Sequence, residues 1–239
     1  MKLRLALLAA MASLAGPAGA QAPDATAQVI EPRIHSPGPF DTLAVSGAGQ
    51  VRLFQADRDE VVVPGDRRLI DAVGVRLSGT SLAIALPRDP KQLGNLALVE
   101  VHVRHLTRLV IADASSVAAP LSFRGDLLSI RMAGTGLVSF DRLEVGQLAV
   151  DIAGDAEGRL AGRTDRLQLT ASGTSRIVAD HLRARRAAVS VAGAAGADVW
   201  PVDEFELRVS DSGHVRYWGL PNVKPVISGQ GSVDTMGAR

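Results

Sequence analysis

From residue 107 onward one pattern recurs along the chain. Three apolar residues stand at alternate positions, a corner of four small or polar residues follows, and another apolar residue returns after it. The triplets are Leu128/Ile130/Met132, Leu148/Val150/Ile152, Leu167/Leu169/Ala171, Ala187/Val189/Val191, Phe205/Leu207/Val209 and Val223/Pro225/Ile227. Their corners begin at Ala133, Ala153, Ser172, Ala192, Ser210 and Ser228, with a less regular copy at Ala112. Successive corners start 21, 20, 19, 20, 18 and 18 residues apart. Apolar alternation marks a strand with one buried and one wet face. A period near twenty is too short for a βαβ unit, which needs about 30 residues, or for a propeller blade of about 40. It suits one coil of a parallel β-solenoid, each strand pairing with its copy in the next coil. Seven coils at about 4.8 Å each would make a rod on the order of 34 Å long.

Composition agrees. The chain of 239 residues has 24 Gly, 12 Pro and eight aromatics, so small and aliphatic side chains must fill the core. Lys+Arg and Asp+Glu number 26 and 25, which gives no electrostatic footprint for a nucleic acid. There is no Cys, which excludes disulfides, Cys-ligated metals and a lipid anchor on an N-terminal Cys. Residues 1–20 read as a secretory signal peptide: Lys2 and Arg4, the apolar run Leu5–Leu14, and a small-x-small site at Ala18-Gly19-Ala20. Cleavage after Ala20 predicts a periplasmic or extracellular protein without a lipid anchor. No other stretch approaches 18 uninterrupted apolar residues, so no transmembrane segment is expected.

Residues 21–39 carry four Pro and read as an extended lead-in. Residues 40–239 form the solenoid domain, with 40–106 as a β-rich N-terminal cap and first coils and 107–239 as the repeats. Within the cap, Val61–Val63 reads as a strand closed by Pro64-Gly65-Asp66, and Asp66 could cap a helical turn through Asp71. Ser78-Gly79-Thr80-Ser81 reads as a four-residue hairpin loop.

Few residues suggest chemistry. His102 and His105, three apart on a strand, would point to opposite faces and make a poor metal pair. Asp141 and Asp180 both lie eight residues past a corner start, two coils apart with Ala161 between. That separation, roughly 10 Å, exceeds the roughly 5–9.5 Å used for glycoside cleavage. The Ser-Gly corners lack a nucleophile elbow, and the Gly-rich stretches precede no helix that could cradle phosphate. We therefore assign no catalytic residue, metal or cofactor. Two surfaces remain. Trp200 and Trp218 both fall eight residues past a corner start in adjacent coils, with Tyr217 alongside. Such rings either seal the C-terminal end of the core or offer a platform to a sugar or apolar ligand. Arg183, Arg185 and Arg186 form the one dense basic cluster, either a solvated face or a dock for an acidic glycan or lipid headgroup.

The opening Phe40-Asp41-Thr42-Leu43-Ala44-Val45-Ser46-Gly47, the ordered corners and the closing Tyr217-Trp218-Gly219-Leu220-Pro221 before Ser228-Gly229-Gln230-Gly231-Ser232-Val233 together resemble the putative auto-transporter adhesin head GIN domain family. The resemblance spans roughly 36–235. It implies a right-handed parallel β-helix in the bacterial envelope with no established enzymatic role. The functional expectation is a non-catalytic envelope module recognising a glycan or a protein. The alternative is a carbohydrate-active β-helix enzyme, a lyase or hydrolase, for which only fold analogy speaks.

Overall fold

Every corner turns through a residue with positive φ. Gly47, Asp113, Gly134, Gly154, Gly173, Gly193, Asp211 and Gly229 adopt φ of +96°, +62°, +132°, +91°, +78°, +74°, +56° and +71°. This left-handed region strains an ordinary L-residue by roughly 1–2 kcal/mol and suits Gly or Asp. Close stacking makes a second demand: a Cβ on Gly154, Gly173 or Gly193 would sit 2.7, 2.8 or 2.9 Å from the carbonyl oxygen of the preceding corner. The residue after each left-handed position donates its N–H to that carbonyl. An unbroken line of such bonds, 2.6–3.0 Å long, runs from Gly47 to Gln230 through Ala114, Thr135, Asp155, Thr174, Ala194 and Ser212. Where Asp replaces Gly, its carboxylate takes up a further donor. Asp113 accepts from the Gly47 N–H (3.0 Å) and Asp211 from the Gly193 N–H (3.1 Å). The fourth corner residue is small because it points under the turn: Ser175, 1 % exposed, donates to the Ser172 and Ile152 carbonyls.

The computed structural model describes residues 32–65, 67–89 and 98–238. The expected signal peptide and cap Asp66 and most of the expected lead-in lie outside the described residues. The repeats are carried by β8 (Arg108–Gly134), β9 (Leu137–Gly154), β10 (Glu157–Ala171), β11 (Arg176–Val191) and β12 (Gly196–Val209), each parallel to the next. The final coil is split into β13 (His214–Tyr217), β14 (Asn222–Ile227) and β15 (Ser232–Thr235). The solenoid has about six turns rather than the seven coils expected.

Inward triplet residues stack in register. Leu128, Leu148, Leu167, Ala187 and Phe205 form one column, and Ile130, Val150, Leu169, Val189 and Leu207 another, all at most 4 % exposed. Each fully buried Leu or Ile side chain stabilises the fold by about 1.5–3 kcal/mol, so the columns supply the cohesion that disulfides would otherwise give. Mismatches in length between coils are absorbed by bulges. The largest separates the pairs Ala179/Val199 and Arg183/Trp200, where Asp180, His181 and Leu182 face no counterpart in β12.

The N-terminal end departs from chain order. β2 (Thr42–Ser46) lies between β6 (Ser81–Ala85) and β8, parallel to both, and β3 (Ala48–Gln55) lies between β7 (Leu98–Val103) and β8. Antiparallel strands then end the parallel ladder. β5 (Gly74–Ser78) pairs with β6, while β4 (Glu60–Val63) pairs with β7 and with β1 (Arg33–His35). α1 (Arg67–Ala72) buries Leu69 and Ile70 in the common core. The hairpin loop is two residues, Gly79-Thr80, rather than four, because Ser78 and Ser81 already pair and Gly79 supplies φ +60°. The opposite end is barer: Ile227, an inward triplet position, is 49 % exposed on the outermost coil.

Adding the same side chain at adjacent corner positions tests this account. Gly193→Val should lower stability by at least ~2 kcal/mol, from backbone strain and the clash with the Gly173 carbonyl. Ala194→Val, at an exposed position, should stay within about 0.5 kcal/mol. Urea unfolding of the two variants distinguishes them.

Candidate binding surface

A second bend stacks beside the triplet columns, and its outward residues fall into rows along the solenoid axis. One row reads Arg124, Glu144, Arg163, Arg183, Trp200, and another Leu127, Gln147, Arg166, Arg186, Glu204. Ladder neighbours stand about 4.8 Å apart, so Arg163 lies beside Arg183 and Arg166 beside Arg186. Between the rows, Arg185 bridges to Asp165 (3.7 Å) and Asp203 (3.4 Å). At the upstream edge Glu144 holds both Arg124 (3.1 Å) and Arg163 (3.0 Å). Arg166, Arg183 and Arg186 make no ion pair among the described residues, although Glu204 follows Arg186 in register.

Two open grooves cross this array, and a third of about 280 Å³ runs along Arg166, Arg186 and Glu204 at its edge. One, of about 270 Å³, is lined by Glu144, Arg163, Thr164, Asp165, Arg183 and Arg185. The other, of about 330 Å³, is lined by Asp126, Gly146, Gln147, Asp165, Arg166 and Arg186. Thr164, 4 % exposed, donates to the Arg166 carbonyl (3.1 Å) or the Gly146 carbonyl (3.3 Å) and so fixes the bend beneath the arginines. Burial alone would raise the Glu144 pKa. The charges of Arg163 and Arg124, with their hydrogen bonds, outweigh it and hold the carboxyl below its ordinary value.

The candidate residues now have places. Arg183, Arg185 and Arg186 are exposed on β11, and the register shift sets Trp200 beside Arg183 instead of beside Asp180, where counting from the corner puts it. Trp200 is half-buried, and the Gly219 backbone approaches its indole so closely that a Cβ there would be 3.5 Å from Cδ1. Trp218, also half-buried, follows the ladder pair Val199/Tyr217 and donates its backbone N–H to the Val199 carbonyl. Tyr217 turns the other way, packing against the core with its ring 5.2 Å from Phe205. The basic cluster and Trp200 therefore meet on one surface, and Tyr217 belongs to the core. Arg163 and Arg166 form no run in the sequence, yet both lie one period of twenty before Arg183 and Arg186.

The other side chains singled out are accounted for structurally. His102 stacks on Phe54 (5.2 Å, 24°), and His105 lies beyond the end of β7. The shift between Arg159 and Ala161 takes Asp180 out of line with Ala161, which pairs with His181. Among the described residues no group of three or more His, Asp or Glu is placed to hold a metal ion. Near the C-terminal end Asp198, 5 % exposed, is clamped by Arg216 (2.6 and 2.7 Å) and Arg176 (3.1 Å). These bonds, with the Asp198 charge, raise the Arg216 pKa. This clamp ties three successive coils together.

A family model described as "Putative auto-transporter adhesin, head GIN domain" matches residues 39–221. Among solved structures, a "putative adhesin" from Bacteroides fragilis aligns with TM-score 0.78 at 18 % identity, covering 88 % of this chain and 97 % of its own. A "putative adhesin" from Parabacteroides distasonis gives 0.70 at 18 % identity, covering 87 % and 97 %. A "putative lipid binding protein" from the same species gives 0.67 at 20 % identity, covering 86 % and 96 %. At these identities the likeness is one of fold. No curated protein matches the chain.

Glu144 gives the surface a pH signature. Its folded-state pKa lies below the unfolded value, so its contribution to stability is present above the ordinary carboxylate range and is lost as pH falls through the depressed value. Glu144→Gln should therefore unfold at lower urea than the native chain at pH 7, with the gap closing in strong acid. Urea midpoints measured across pH 2–7 check this.

Proposed function

Because the chain belongs to the family described as "Putative auto-transporter adhesin, head GIN domain", we propose that it is an exported, non-catalytic recognition module of the bacterial envelope. It binds a glycan or a protein through an outward face of the solenoid. The signal peptide with cleavage after Ala20 routes it to the periplasm or the cell exterior. Among the described residues, no helix is long and apolar enough to cross a membrane.

The observation that carries the reading is the register of β11 against β12, which sets exposed Arg183 beside half-buried Trp200. Guanidinium donors next to an aromatic ring supply what a sugar or a protein side chain needs: directional hydrogen bonds and a flat apolar contact. The stacked coils hold these groups without loops, so little ordering is needed on binding. Trp218, next to Trp200 in the column, extends the apolar part.

The mature protein should begin at Gln21 by mass spectrometry after expression in an exporting bacterium. On a glycan array it should bind without releasing products. A chain that retains Met1 overturns the export reading. Polysaccharide turnover abolished by a single Asp substitution overturns the non-catalytic one.

A further inference from the structure

Like charges that face each other across a ladder repel, yet this surface stacks Arg on Arg twice, at Arg163/Arg183 and at Arg166/Arg186. Counted over β10 and β11 at the bend, five arginines (163, 166, 183, 185, 186) face one carboxylate, Asp165. A surface that needed only solubility would alternate signs, as the row Arg124–Glu144–Arg163 does one coil earlier. Resting on the recognition reading above, we propose that this double rung binds an acidic glycan. Its carboxylate would sit between the paired guanidinium groups and its sugar ring would extend toward Trp200.

Three features select an acidic sugar over other anions. First, the positive rungs are short. Glu144 bounds them on one side and Asp203 and Glu204 on the other, which fits one or two anionic groups rather than an extended polyanion such as a nucleic acid. Second, the grooves carry acceptors among the donors. Asp126, Gln147 and Asp165 line them with the arginines and can take hydrogen bonds from sugar hydroxyls, which a bare phosphate lacks. Third, no large exposed apolar side chain lines either groove. Exposed Leu127 stands two rungs away from Arg166, beyond Gln147, and Leu220, Val226, Ile227 and Met236 are exposed on the terminal coil, so the grooves themselves offer nothing to insert beneath a lipid headgroup. Neither Arg183 nor Arg186 makes an ion pair among the described residues, so neutralising both breaks no ion pair of the fold.

Calorimetric titration with polygalacturonate, with its fully methyl-esterified form, and with vesicles containing phosphatidylglycerol tests the proposal. Polygalacturonate should bind, more weakly as salt rises, and the methyl ester should not. Arg183→Gln combined with Arg186→Gln should weaken binding about tenfold or more while the circular dichroism melt stays unchanged. Trp200→Phe should bind more weakly than the native chain with the same melt. Acidic-glycan binding that survives the double substitution overturns this site, as does binding of vesicles alone. Binding of neutral glycans alone also overturns the acidic-sugar assignment but leaves the recognition module standing. Failure to bind any arrayed glycan, neutral or acidic, or any envelope protein overturns both.

Discussion

The corner hydrogen bond governs this structure. Each coil hands the N–H after its left-handed residue to the carbonyl of the preceding corner, over seven steps from Gly47 to Gln230. At Gly154, Gly173 and Gly193 the preceding carbonyl lies closer than a Cβ allows, so glycine is required there, whereas Asp113 and Asp211 take the same left-handed conformation with a Cβ and still pass on the bond. Once corners are aligned, the distance along the chain between them must close one turn. The period of 18–21 follows, and with it the parallel register. Where a coil carries extra residues, as at Asp180–Leu182, the strand bulges between fixed corners instead of shifting the whole ladder.

Fixed register turns sequence spacing into surface pattern. Residues one period apart become neighbours about 4.8 Å away, so charges scattered through the chain become rows. Some rows alternate and satisfy themselves, as Arg124–Glu144–Arg163 and Arg176–Asp198–Arg216 do. One does not, and that imbalance on β10 and β11 singles out a surface on an otherwise nearly neutral molecule. The rigid backbone beneath keeps the guanidinium groups together in spite of their repulsion. The two ends of the rod differ for a related reason. Antiparallel strands and α1 close the N-terminal end, whereas β14 guards its open edge with Lys224 and Pro225, residues that discourage edge-to-edge pairing.

Much of the solenoid was legible because corners and triplets obey local rules: left-handed backbone needs Gly, and alternate burial needs alternate apolar residues. Two things were not. The place of β6 and β7 outside β2 and β3 is a non-local choice that no period announces. Spacing from the corner does not give the ladder neighbour of Trp200, because bulges are set by packing: Leu182 is buried at 0 % exposure, so the chain takes a longer path there. The same reasoning explains the site. Arg183, Arg185 and Arg186 were visible as a run, but Arg163 and Arg166 join them only when one coil is laid on the next. Tyr217 could not be separated from Trp218 by composition, whereas strand alternation puts the two on opposite sides.

The claim on which the rest stands is that corner bonds lock β10 and β11 in the register Arg166 to Arg186. The native chain has no Cys, so an introduced pair reports this without background. Residues at adjacent ladder positions lie within the Cα separation a disulfide tolerates, about 4.4–6.8 Å, and pairs beyond about 7 Å do not close. Mild oxidation of the variant with Arg166→Cys and Arg186→Cys should therefore give a closed disulfide in the folded protein. The variant with Arg166→Cys and Arg183→Cys should stay reduced. Closure of the second pair while the first remains open would contradict the register, and with it the surface built upon it.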